Sequence, residues 1–261
     1  MLFSACHKAD IDRFDHKHKI SKTWENDTDS MPTTYYYEDG KLTTVRFPDY
    51  PHLHFIYEKK FQVKRINFEG ADGQISEWAD ITYKDDRVEE IKIYANSELV
   101  ANQKFVTENR KIAKIFSYIL PNYFEEKAAV KNMLFDVQSL ELLAVRSKSK
   151  GELTLESEHN ITYTGDNITT VITYDKRSED TVITRYTYDE NKNPYYGLNF
   201  NFMGLKGYSR NNQVSQTLSY GTITRNFTYT YICNKHRYPT IINEKEGKTE
   251  EGVNTYIEYV K

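Results

Sequence analysis

The chain has 261 residues, a formal net charge of −3 and 28% charged residues spread along its length without a sustained basic block. That distribution excludes the electrostatic footprint of a nucleic-acid binder. Hydrophobic residues make up only 38%, but 22 Tyr and 13 Phe add bulky apolar area, and a chain rich in aromatic and β-branched residues is expected to fold as one all-β domain.

At the start, Leu2-Phe3-Ser4-Ala5 set apolar and then small residues before Cys6. This order resembles a bacterial lipobox, in which the cysteine becomes the lipidated N-terminus of the mature protein. Residues 1–6 are then the remnant of a lipoprotein signal, with an apolar run shorter than the about 7 to 15 residues of a full one. Residues 7–32 are polar and weakly periodic, and Asn26-Asp27-Thr28-Asp29-Ser30 reads as linker, so this stretch is expected to be a flexible tether. His7, His16 and His18 lie in it without Cys or carboxylate at ligand spacing, and no metal or other cofactor is expected. A single β-rich domain should fill 33–261.

From Thr33 a unit recurs: an aromatic residue, turn formers, an aliphatic, two polar or small residues, and a second aliphatic. Tyr37-Glu-Asp-Gly-Lys-Leu42-Thr-Thr-Val45 is the first copy, with a hairpin signal in Asp39-Gly40. Tyr57 with Val63 and Ile66, Tyr83 with Val88 and Ile91, Phe105 with Ile112 and Ile115, and Tyr163 with Ile168 and Val171 follow. One hairpin per unit gives an antiparallel meander curled into an open, barrel-like sheet. The three-residue spacing of Val88 and Ile91 puts them on opposite faces unless a bulge intervenes, so both faces are expected to be partly covered. A three-residue loop at 84–86 would group Ile81, Tyr83 and Ile91, and a two-residue loop would pair Tyr83 with Val88; both registers fit the pattern.

Near 122–146 the rhythm changes. Val130, Met133, Leu134, Val137 and Leu140 form a stripe at helical spacing, Asn122 with Glu125 resembles a capping box, and a helix covering one face of the sheet is expected. Strands resume from Leu153. The turn-rich insertion from Asp189 to Leu198, which carries Pro194, Tyr195 and Tyr196, is the irregular stretch in which a binding surface is expected. Cys233, in Tyr229-Thr-Tyr-Ile-Cys, reads as a small buried strand residue.

The tyrosine-led hairpins, together with Asn193-Pro194-Tyr195-Tyr196-Gly197, Asn211-Asn212 and Arg237-Tyr238-Pro239-Thr240, resemble a family of Bacteroidetes-type cell-envelope lipoproteins of unknown function, whose repeats look like the tyrosine-aspartate repeats of bacterial surface shells. The resemblance implies a porin-like barrel and an outer-membrane address reached through a lipid anchor at Cys6. It supplies no catalytic residue. Membrane-spanning strands are not expected from the pattern, because Lys84, Glu89, Glu90 and Lys92 put charge on both faces of the clearest hairpin.

Motifs with fixed catalytic spacing are absent from the sequence. His52-Leu53-His54 would present two imidazoles on one strand face, without an identifiable third ligand. The reading that follows is a surface-anchored binding module for a glycan or protein ligand, with Trp24, Trp78, Tyr195 and Tyr196 as candidate contact residues. A purely structural envelope protein and a glycan-acting hydrolase with an acidic pair are the alternatives.

Overall fold

The computed structural model describes residues 19–26, 31–49, 51–59, 62–120, 152–196, 205, 207–248 and 252–260. Sixteen strands carry nearly all of them: β1 (Ile20–Glu25), β2 (Thr33–Glu38), β3 (Lys41–Arg46), β4 (His52–Lys59), β5 (Gln62–Glu69), β6 (Ile75–Lys84), β7 (Arg87–Ala95), β8 (Glu98–Glu108), β9 (Lys111–Ile119), β10 (Thr154–Thr164), β11 (Asn167–Asp175), β12 (Thr181–Lys192), β13 (Asn211–Tyr220), β14 (Ile223–Cys233), β15 (Pro239–Glu246) and β16 (Val253–Tyr259). Each strand pairs antiparallel with its neighbours in sequence, and β1 pairs with β16, so the meander closes into a barrel.

The recurring unit has a physical reason. In the clearest copy, Asp85 and Asp86 both take positive φ, 52° and 61°, as a two-residue hairpin turn requires. Tyr83 then faces Val88, and a bulge between Thr82 and Tyr83 brings Ile81 opposite Ile91. All four side chains enter the same core, so the expected covering of both faces is corrected: the bulge absorbs the three-residue spacing. Equivalent register shifts precede Tyr37, Tyr57, Tyr163 and Tyr188. In the fourth copy Thr107, not Phe105, holds the leading position opposite Ile112, and Phe105 pairs deeper, with Ile115.

The leading tyrosines also hold one hairpin to the next. Between hairpins the ladders end at Thr44–His54, Arg65–Asp80, Thr170–Arg185, Ser215–Thr228 and Ile241–Tyr256. In each case the tyrosine three residues further along donates its hydroxyl to the carbonyl two residues back on the neighbouring strand. The bonds are Tyr57 to Leu42 (2.8 Å), Tyr83 to Val63 (3.1 Å), Tyr188 to Ile168 (2.5 Å), Tyr231 to Gln213, and Tyr259 to Pro239 (2.6 Å). Carbonyls that the flaring strands leave unladdered thus find a side-chain donor inside the barrel.

Alternation sends these rings and the aliphatics inward. Tyr35, Leu42, Val45, Leu53, Phe55, Val63, Ile66, Phe68, Ile81, Ile91, Phe105, Ile115, Ile161, Ile168, Val171 and Ile257 belong to one buried cluster, and Val45, Leu53 and Val63 are wholly excluded from solvent.

Two expectations change. Residues 20–25, read as tether, are β1, because Ile20 and Thr23 alternate inward opposite Tyr259 and Ile257; the β-rich domain therefore begins before residue 33, and the sheet is closed instead of open. The stretch expected to be helical near 122–146, like Cys6 and the three tether histidines, lies outside the described residues.

Candidate functional site

The hairpin turns at 39–40, 85–86 and 109–110 lie at one end of the barrel, which the tyrosine leaders surround from inside; the turns at 96–97 and 221–222 lie at the other. The connection from β12 to β13 also belongs to the tyrosine end. Its Tyr195, Leu205 and Tyr208 pack against the buried cluster. Local geometry turns Tyr195 inward: the Asn193 carboxamide accepts from the Tyr195 backbone N–H at 2.9 Å and donates to the Ser209 carbonyl at 2.7 Å, so the chain bends over the barrel end. Burial pushes the Tyr195 phenol well above its ordinary range, with Tyr35, Tyr259, Tyr231 and Glu25 adding to the effect. The hydroxyls of Tyr37 and Tyr208 are buried at this floor with no acceptor among the described residues.

Toward the opposite end the inner wall changes character. Cross-strand register carries the inward face from Tyr186 through Gln216 and Phe227 to Glu246, and from Tyr229 to Glu244. The Gln216 carboxamide oxygen accepts from Gln213 (3.1 Å) and from the Tyr229 hydroxyl (3.3 Å). Arg225 lies over the Phe227 ring and makes a two-pronged bond to Glu246, 2.6 and 2.9 Å, which holds that carboxyl below its usual range. Glu25 and Thr255 continue the polar lining. Arg225, Glu246 and Glu25 are exposed, and Gln216, Tyr231 and Glu244 are half-buried. The interior is therefore an asymmetric cup: polar and accessible on β13 to β16 and β1, while on β7 to β9 the inward Ala95, Ala101 and Ile119 keep the same end apolar and buried.

A second polar group crosses the wall from β8 to β11. His159 lies between the Ser157 hydroxyl, 3.0 Å from Nε2, and the Thr173 hydroxyl, 2.9 Å from Nδ1. The Gln103 carboxamide donates to Ser117 at 3.4 Å in the neighbouring pairs. Burial lowers the His159 pKa to about 4, so the imidazole is neutral at ordinary pH. Hydroxyl and imidazole stand as nucleophile and base would, but Thr173 occupies the place of an orienting carboxylate and Ser157 is only 3% exposed. The group satisfies buried polar atoms in the wall.

Outward, β4 to β10 form a charged surface. Arg65 meets Asp80 at 2.5 and 2.8 Å, His54 Nε2 meets Glu69 at 2.5 Å, and Glu90 accepts from Asn102 and pairs with Lys92. Such a surface would be costly against hydrocarbon. Glu69 is the partner that the His52-Leu53-His54 pattern lacked, and the His54 hydrogen bond lowers its pKa. Among the described residues no group of three or more His, Cys, Asp or Glu is arranged to hold a metal.

The four contact residues expected from sequence are not brought together. Trp24 stacks on Tyr256 (5.6 Å) on the outer face of β1, and Trp78 stacks on Tyr94 (5.3 Å) under the Arg65 guanidinium on the outer face of β6. Tyr195 points into the floor, and Tyr196 is half-buried near Tyr163. Cys233 is half-buried, and burial with Asp189 raises its thiol pKa. Sequence reasoning missed Gln216, Arg225, Tyr229, Glu244 and Glu246. Their signal was alternation: Arg225, Phe227, Tyr229 and Tyr231 occupy every second position of a strand whose other positions are Thr224, Asn226, Thr228 and Thr230.

No family model matches the chain, and no curated protein matches it. Among solved structures, it is similar to a porin-like protein from Bacteroides uniformis ATCC 8492, with 12% identity, a TM-score of 0.52, and coverage of 92% of this chain and 96% of that one. At that identity the likeness concerns the fold: a porin-like, all-antiparallel barrel.

Proposed function

We propose that this protein is an envelope-associated binding module, which receives a polar ligand such as a glycan or a peptide of a protein partner in the polar half of its lumen. The observation that carries the reading is the accessible polar inner wall of β13 to β16. The buried cluster packs with Tyr195, Leu205 and Tyr208 toward one end, while Gln216, Tyr229, Arg225, Glu244 and Glu246 line this wall toward the other. A concave site with a few convergent polar groups suits recognition. Aromatic rings beside carboxamide and carboxylate groups offer a sugar both an apolar face and hydrogen-bond partners.

Support for the address comes from the porin-like fold of the Bacteroides neighbour and from the order Leu2-Phe3-Ser4-Ala5-Cys6, which makes Cys6 the lipid attachment point in this reading. The charged outer surface suits a barrel tethered to a membrane, not inserted in it. The test is a glycan-array and peptide screen on the folded chain, followed by titration of any hit against Q216A and R225A. A Kd weakened at least 10-fold by either variant supports the lumen site. Binding that ignores both variants rejects it, and no binding of either class transfers the weight to a structural envelope role.

A further inference from the structure

The two halves of the outer surface differ in chemistry. From β4 to β10 the outward positions carry His54, Arg65, Glu69, Asp80, Glu90, Lys92, Lys104, Lys114 and Glu158. Across β13, β14 and β15 they are Ser215, Thr217 and Ser219, then Thr224, Asn226, Thr228, Thr230 and Ile232, then Ile241, Asn243 and Lys245. Lys245 is the only charge among these; Arg185 on β12, opposite Thr217, and the Lys22–Glu258 pair beside Trp24 and Tyr256 border the face. Ile232, at 61% exposed, shows how open the surface is.

We propose that this face docks a neutral, hydroxyl-rich polysaccharide chain lying across the strands. Side chains on one face of a sheet repeat at about 4.8 Å between strands and about 6.8 Å along them, so these hydroxyls and carboxamides form a regular two-dimensional grid. The grid is partly prearranged, with Thr187 to Ser215 at 2.6 Å, Thr217 to Asn226 at 2.9 Å and Asn243 to Asn254 at 2.8 Å. Thr228 and Thr230 are exposed, and no described residue takes their hydroxyls. Each hydroxyl offers one donor and two acceptor positions, which is the complement of a sugar edge. At the β16–β1 border the Trp24–Tyr256 stack adds aromatic surface on the same outer face. Protein interfaces concentrate Arg and aromatic anchors at a desolvated centre and use Ser and Thr sparingly. The centre of this face has the opposite composition, and its low charge matches an uncharged polymer better than a charged one.

The experiment is affinity electrophoresis and pull-down of the full chain, using hydroxyethylcellulose, glucomannan and insoluble cellulose as neutral probes and polygalacturonate as the charged one. The expected result is retardation by at least one neutral polymer, reduced at least 10-fold in T228E/T230E and unchanged in T82E on the charged half. Circular-dichroism melting of each variant confirms that the fold is kept. Equal retardation of T228E/T230E, or of T82E and T228E/T230E alike, overturns the proposal, as does retention only on polygalacturonate or on no polymer. Self-association of the wild type in ultracentrifugation, abolished in T228E/T230E and without retardation, would assign the face to a second copy instead.

Discussion

The two ends of the barrel share one wall but use it differently. At the tyrosine end, leaders such as Tyr57 and Tyr83 bond to neighbouring carbonyls and side chains as buried as Ile168 and Val63 fill the interior. At the other end Arg225, Glu246 and Glu25 face inward yet remain exposed. The difference teaches that one period-2 alternation builds a core where inward positions are apolar and an accessible polar wall, the one to which recognition is proposed, where those of β13 to β16 are polar.

Substitutions at the two ends should divide accordingly. Ile168→Ala, at an almost fully excluded position beside the tyrosine-end turn, is expected to destabilise by about 3 kcal/mol through lost burial and the cavity left behind, measured by urea unfolding. A loss below about 1 kcal/mol would mean that the tyrosine end is not the core.

The wall itself supplies a pH test. His159 has a folded pKa near 4, against about 6.5 unfolded, so between these values the unfolded state binds the extra proton and stability falls as pH falls. The loss should approach about 3 kcal/mol by pH 4 relative to pH 7, an order-of-magnitude figure for a buried imidazole. In H159Q that part of the pH dependence should flatten, whereas an unchanged slope would show that other groups set it.

Tyr83→Phe removes one donor and leaves the Val63 carbonyl without its side-chain partner, a loss of about 1 to 2 kcal/mol. Tyr57→Phe should cost about the same if the repeated bonds are equivalent devices. The smallest effect belongs to the opposite end. Arg225→Ala breaks an exposed ion pair with Glu246 and should leave the melting temperature unchanged within error, while lowering ligand binding. A clear loss of stability there would erase the contrast between the ends.

Much of the fold was legible in the sequence, because strand periodicity and turn chemistry are local. Tyr37 through Val45 and Tyr163 through Val171 announced hairpins that the structure contains. Closure was not legible, since Ile20–Glu25 has only a short ladder with β2 and most of its pairing is with residues more than two hundred positions away, while alone it reads as polar linker. The bulges were half legible: the three-residue spacing of Val88 and Ile91 allowed a bulge as the exception to facing opposite ways, but only the register shows that one is made and that it lies before Tyr83. The candidate site was the least legible part. Exposed aromatics were sought in the Tyr195–Tyr196 loop, yet Asn193 turns Tyr195 inward, and the polar lining of the cup comes from ordinary strand positions with no motif to mark them.

The pairing of β1 with β16 also has a consequence for biosynthesis. Val260 donates its backbone N–H to the Lys19 carbonyl at 2.7 Å, so the seam joins the earliest- and latest-made strands of the barrel. During synthesis β1 must wait for β16, and until then the nascent sheet has two unpaired edges, β1 and whichever strand has most recently emerged. Such edges invite pairing with other chains. Closure that depends on the most distant contact in the sequence is expected to be slow. Exposed edges during synthesis are therefore built into the topology, and a chain cut short before Val253 would keep both edges open for good.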